Sequence, residues 1–251
     1  MFRNLFLAAL CAAICAGLVT SVVQHFRLTP MIFAAEAFEG AAPAEAHSHD
    51  TAAPAADAAA APAAEAVAHD HGDDEWMPQD GLERSAFTAF SNIVAAAGFA
   101  LILGAVALLF NLPITAATGL AWGVAGFAVF TLAPSFGLPP GLPTMPIAET
   151  FARQVWWIGT ALATGAAILL LVKQRALWAL GVSIVLVALP HLIGAPQPAV
   201  EPSAIPPGLA AGFASAVIVN GAIFFVVLGV VFGYVADRLA ARTPKLAGAH
   251  A

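Results

Sequence analysis

Apolar residues dominate this chain in long unbroken runs, separated by short polar or Pro/Gly-rich pieces. Six runs stand out, at about residues 5–26, 86–110, 116–134, 154–172, 176–193 and 209–236. A hydrocarbon core of roughly 30 Å is crossed by about 20 residues at 1.5 Å each, so each run is long enough to span a bilayer. In lipid every backbone amide must be paired internally, which leaves helices or closed barrels. The pattern therefore predicts an all-α membrane protein, a bundle of about six transmembrane helices.

One stretch breaks the pattern. Residues 28–85 form a polar insert that opens with TPMIFAAEAFEG, read as a short interfacial helix with Glu36 and Glu39 one turn apart. The following Ala/Pro/acid/His sequence has too few large apolar residues to build a core, and is expected to be disordered without a ligand. This divides the chain into a first span (1–27), the His/acid-rich loop (28–85), a five-span bundle (86–236) and a tail (237–251).

Charge orients the spans. With both termini in the cytoplasm, the inner ends carry Arg3, Lys173, Arg175, Arg238, Arg242 and Lys245, and the outer side Arg27, Arg84 and Arg153. That excess follows the positive-inside rule and places the loop outside. Trp122 and Trp178 then lie near the inner interface, and Trp76, Trp156 and Trp157 near the outer one. Arg84 and Arg153, at helix starts that disfavour a cation, are expected to pair with Glu83 or Glu149 or to reach headgroups. The first run exceeds the usual h-region of a signal peptide and is read as an uncleaved span.

Composition agrees. Only 10% of the 251 residues are charged and mean hydropathy is +0.87, against about 25% charged in soluble domains. The net charge of −6 arises mainly in the loop, where twelve acids and no Lys or Arg lie between Met31 and Glu83. No basic patch exists to neutralise phosphates, which argues against nucleic-acid binding. Cys11 and Cys15 share a helix face in the first run and are read as small packing residues.

Four of the seven histidines fall in HSHD (47–50) and HDHGDD (69–74). Imidazoles alternating with carboxylates suit borderline divalent metals, so His47, His49, Asp50, His69, Asp70, His71, Asp73 and Asp74 are candidate metal ligands. A flexible N/O site follows the general affinity order and cannot by itself choose the metal. His25 and His191 sit at predicted outer helix ends. His191 is the stronger candidate, because Pro190 and Gly194 loosen the backbone around it. Glu36, Glu39 and Glu149 complete a candidate rim site.

The spans carry no Asp, Glu, Lys or Arg at their centres. Asn92 and Asn220 head the candidate pore-lining residues, with Thr and Ser hydroxyls beside them. A carboxylate proton relay is absent, as are phosphate-binding loops and the usual hydrolase and metalloprotease motifs, so no enzyme is expected. LAPSFGLP and LPHLIGAP, from Leu132 and Leu189, share L-x4-G-x-P, an echo expected if two hairpins are duplicated around a site.

Several stretches together resemble one family. They are TPMIFAAEAFE (29–39), WMPQDGLERSAFTAFSNI (76–93), GLAWGVAGFAVFTLAPSFGLPPGLP (119–143), RQVWW (153–157) and PHLIGAP (190–196), with the His-rich insert between the first two. They are similar to the CbtA family of proposed cobalt transporter subunits, and they spread over nearly the whole chain. The resemblance implies cobalt(II) as substrate, uptake across a bacterial cytoplasmic membrane for cobalamin synthesis, and a small single-span His-containing partner of the CbtB kind. No tightly bound cofactor is expected. Gly141 departs from relatives that carry Glu after the GLPP turn, which leaves Glu149 as the nearest replacement. A metal-capture, sensor or assembly subunit that does not itself transport is the alternative, and nickel(II) the runner-up substrate.

Overall fold

In a computed structural model, residues 2–38, 78–79, 81–143, 145–198 and 203–242 are described. Six helices occupy most of them: α1 (Phe2–Glu36), α2 (Leu82–Leu109), α3 (Gly119–Ser135), α4 (Thr150–Lys173), α5 (Leu177–Ile193) and α6 (Pro207–Arg242). There is no strand among the described residues. Four of the helices, α1, α2, α4 and α6, are long and apolar enough to cross a membrane; α3 and α5 are shorter apolar helices.

The first helix corrects the sequence expectation. Residues 29–36 do not form a separate interfacial helix; α1 runs on through them for 35 residues. What permits this is one π-helical turn, Gln24–Leu28, in which Thr29 N–H donates to Gln24 O. Pro30 lacks an N–H, which a regular helix would have used. The wider turn shifts the pairing instead of ending the helix. The same device recurs in α3, where a π turn at Ala128–Leu132 precedes Pro134, and Ala133 N–H donates to Ala128 O. Both turns end two residues before their proline.

The centre of the bundle is α1 against α2 and α6. The buried face of α1 is small: Ala8, Ala9, Ala12, Ala13, Ala16, Gly17 and Thr20. Its large residues, such as Leu7, Leu10, Ile14 and Leu18, are exposed. Small-in and large-out is the arrangement expected where helices gain by close packing and lipid is as apolar as leucine. Cys11 and Cys15 lie on the exposed face, not among the packing residues as their spacing suggested. Gly17 is required where α1 crosses α2, since a Cβ there would come within 2.7 Å of Ile93 Cα.

Helix α3 meets α6 backbone to backbone. A Cβ on Gly123 would strike Phe225 O, and one on Gly229 would strike Gly119 O. Gly119-x-x-x-Gly123 and Gly229-x-x-x-Gly233 thus face one another as a pair of small-x-x-x-small faces. Deeper in the bundle, Phe99, Phe130, Phe224 and Phe225 form an aromatic cluster with centroids 4.9–5.9 Å apart. Trp157 stacks on Phe130 at 6.1 Å and so joins α4 to it. Helix α5 packs chiefly on α4, where Ser183 Oγ donates to Ala167 O at 3.1 Å.

The two ends of the bundle differ. Asn4 Nδ2 donates to Leu239 O, and Asp237 accepts from Ala116 N–H at 2.8 Å, so the start of α1, the end of α6 and the α2–α3 connection share one end, the terminal end. Glu36, Arg84 and the start of α2 mark the other, the loop end.

Candidate functional site

The sequence motifs RQVWW, PHLIGAP and LAPSFGLP converge at the loop end. Gly194, with φ +91°, closes α5, and its N–H donates to Pro190 O at 3.1 Å. The same carbonyl accepts from Trp156 Nε1, also at 3.1 Å. His191 lies edge-on to Trp156 at 5.6 Å and to Phe136 at 6.3 Å. Its Nδ1 is 2.9 Å from Val187 O, and its Nε2 is 3.0 Å from Ala133 O. A Cβ on Gly137 would overlap the Trp156 ring and approach Ala195. The two L-x4-G-x-P endings are therefore in contact.

This arrangement occupies His191. Each ring nitrogen has a carbonyl oxygen within 3.0 Å in front of it; a neutral imidazole donates to one of them, and the other carbonyl stands where an ion would approach the remaining nitrogen. The cavity beside it, about 570 Å³ and lined by residues such as Phe136, Ile168, Leu171 and Ile184, is almost wholly apolar. The glutamates are engaged as well. Glu149 caps α4, accepting from Phe151 N–H at 2.8 Å and Ala152 N–H at 2.6 Å. Those bonds, the one from Ala152 first, hold its carboxyl below the ordinary carboxylate range. Glu36 pairs with Arg84 at 3.3 Å, and the guanidinium also lies over the Phe33 ring.

Arg84 pairs with an acid on α1, Glu36, where the sequence pointed to Glu83, Glu149 or the headgroups. The Glu83 carboxylate accepts from Gln79 N–H instead. Among the described residues, no three of His, Cys, Asp and Glu gather into a group that could hold a metal ion. His25, Glu36, Glu149 and His191 accordingly do not form one rim site. The remaining candidates, His47, His49, Asp50, His69, Asp70, His71, Asp73, Asp74 and Glu39, lie outside the described residues.

A second cavity at the loop end carries polar groups in a mainly apolar lining. It measures about 480 Å³, opens between α1 and α2, and is lined by Ser21, Gln24, His25, Thr29, Arg84 and Thr88 among others. Beside Ser21 and Gln24 lies Asn92, whose Nδ2 donates to Gln24 Oε1 at 2.7 Å and to Ser21 Oγ at 3.0 Å. Ser21 passes its own hydrogen to Gly17 O at 2.7 Å. His25 lies edge-on to Phe26, with no hydrogen-bond partner for either ring nitrogen among the described residues.

Asn220 is buried in α6, and its Oδ1 has no partner. Thr20 Oγ1 on α1 is buried and unpartnered too. The antiparallel register of α1 and α6, pinned by Asn4 with Leu239 and by Met31 near Gly212, puts these residues within about one turn of the same level. A third cavity, about 400 Å³, lies at the terminal end beside Asn4, Asn111, Thr115 and Asp237. Asn220 was legible as a deep amide. The Ser21–Gln24–Asn92 cluster was not, because two of its members lie on a helix whose polar face reads as the end of a span.

Long apolar helices that meet through close glycine contacts define a helical membrane protein. The family model described as probable cobalt transporter subunit (CbtA) matches residues 2–237, and the chain belongs to that family. Neither a curated protein nor a solved structure matches it. A subunit implies partner subunits, and a transporter subunit is not an enzyme class.

Proposed function

We propose that the protein takes up cobalt(II) across a bacterial cytoplasmic membrane for cobalamin synthesis, as a multi-pass protein with both termini inside. The observation that carries this reading is family membership over nearly the whole chain. The His/Asp loop, through His47, His49, His69 and His71 with their neighbouring carboxylates, captures the ion outside and raises its concentration at the bundle. The ion then passes inward along neutral groups, of which Asn92 and Asn220 are the amides. An inside-negative potential favours a divalent cation by about 4.6 kcal/mol per 100 mV, twice the value for one charge, so uptake needs no nucleotide. A small single-span partner with histidines of its own completes the complex.

One observation favours a second reading. The buried polar side chains among the described residues are Thr20, Thr160, Thr164, Ser183 and Asn220, none of them ionisable. A chain that only captures metal and presents it to a partner needs no more than this. Reconstituting the chain with and without its partner separates the two. Cobalt uptake by the chain alone supports transport, and uptake only with the partner supports capture. Competition by nickel(II) tests the runner-up substrate.

A further inference from the structure

The geometry points to the cavity between α1 and α2 as the place where a partly hydrated divalent cation is first held by the bundle, with His25 as its nitrogen ligand, the oxygens of Gln24 and Ser21 beside it, and Asn92 positioning those two. This rests on the reading that the chain handles cobalt(II), and it names the site at which it does so.

Only two histidines lie among the described residues, and their surroundings are opposite. His191 has a carbonyl oxygen within 3.0 Å of each ring nitrogen, beside an apolar cavity. His25 has neither nitrogen bound among the described residues and lines a cavity that contains hydroxyls and the Gln24 amide. The hydrogen bonds at the cavity floor all point one way. Asn92 gives its N–H groups to Gln24 and Ser21, and Ser21 gives its O–H to Gly17. Gln24 Oε1 and Ser21 Oγ, which belong to the cavity lining, are thereby held as acceptors, so what they have left to offer is oxygen lone pairs. Imidazole nitrogen with neutral oxygens is a donor set that cobalt(II) accepts. Without a carboxylate in the set, binding is weak enough for the ion to leave, as conduction requires.

Two features set the position. Gln24 opens the π turn of α1, the kind of local widening that recurs at functional sites. One turn below lies Thr20, whose buried hydroxyl oxygen has no partner, at the level of the equally unpartnered Asn220 oxygen. Arg84 at the cavity wall would repel a cation if bare, but Glu36 holds it at 3.3 Å and offsets its charge.

The test uses the full chain with His47, His49, His69 and His71 replaced by Ala, so that the loop cannot bind, and with Cys11→Ser and Cys15→Ser. Thr88→Cys then supplies one thiol at the cavity. Ala240→Cys at the terminal end, in a separate protein, controls for any action of cobalt on the reagent. The rate of modification by a charged water-soluble thiol reagent is read with and without cobalt(II). The expected result is saturable slowing, several-fold, at Thr88→Cys alone, abolished by His25→Ala, a change that removes only an edge contact with Phe26. Unchanged rates, or protection that survives both His25→Ala and Asn92→Ala, would overturn the site; so would protection by anionic phospholipid but not by cobalt. Protection without any uptake keeps the site and removes the transport reading. Uptake by the unmodified chain without protection keeps transport and removes the site.

Discussion

The Nε2 of His191 lies 3.0 Å from the carbonyl oxygen of Ala133, which joins the end of α5 to the π-turned end of α3. A histidine that the sequence offers as a ligand is here a cross-brace. His191→Ala removes the one hydrogen bond that a neutral imidazole can donate here, to Val187 O or Ala133 O, and two aromatic edge contacts, together worth roughly 1–3 kcal/mol. Thermal unfolding in detergent should show the lower stability, while the cobalt concentration for half-maximal uptake stays as in the parent. A large rise in that concentration with unchanged stability would return His191 to the ion.

The α3–α6 contact should be the least tolerant part of the bundle. At Gly123 and Gly229 a side chain meets backbone, which cannot rotate away. Gly229→Val should cost at least the 1–3 kcal/mol typical of overpacking, and the yield of monodisperse protein should fall. Gly98→Val, where no atom lies within 4 Å, should leave it unchanged.

Glu149 gives a pH signature. Its two backbone donors stabilise the ionised form, so its folded-state pKa is lowered. The stability it contributes is therefore full above the unfolded-state value, near 4.5, and is lost as pH falls through the lower folded-state value. Glu149→Gln should be less stable than the parent at neutral pH, with the gap closing in acid. Unfolding midpoints at several pH values between neutral and 3 check this, and a gap that widened in acid would reverse the assignment.

The Glu36–Arg84 pair is half-exposed and should contribute little to stability, about 0–1 kcal/mol. Its electrostatic effect at the cavity should be larger. Glu36→Gln removes the charge paired with Arg84 beside the cation, so initial cobalt uptake should slow several-fold at low ionic strength. High salt should restore most of it, because exposed charges are screened within about 8–10 Å near physiological ionic strength. Slowing that persisted unchanged in high salt would point to a direct ligand role for Glu36.

The helices were legible because apolar runs in a bilayer admit few structures. The sequence placed α5 within a residue and α2, α4 and α6 within a few at their apolar ends. It stopped α1 short because the apolar run ends at Phe26, before Arg27, and a π turn that absorbs a proline leaves no mark in periodicity. The same limit applies to the site. Residue type singled out His25, His191, Asn92 and Asn220 as polar, but not which nitrogens would be spent on carbonyls. That depends on α3, α4 and α5 meeting at Ala133, Trp156 and His191, a contact between distant parts of the chain. Likewise Arg84 was matched to acids near it in sequence, while its partner came from α1.

The central claim is that this chain moves cobalt(II) through its own helices. The most direct measurement is radiocobalt uptake into proteoliposomes holding the chain alone, with an imposed inside-negative potential. The account predicts uptake that rises with the potential, saturates with cobalt and is weakened by His25→Ala but not by His191→Ala. Metal bound to the protein with no accumulation at any potential would contradict it, and would make the chain a capture subunit whose partner moves the ion.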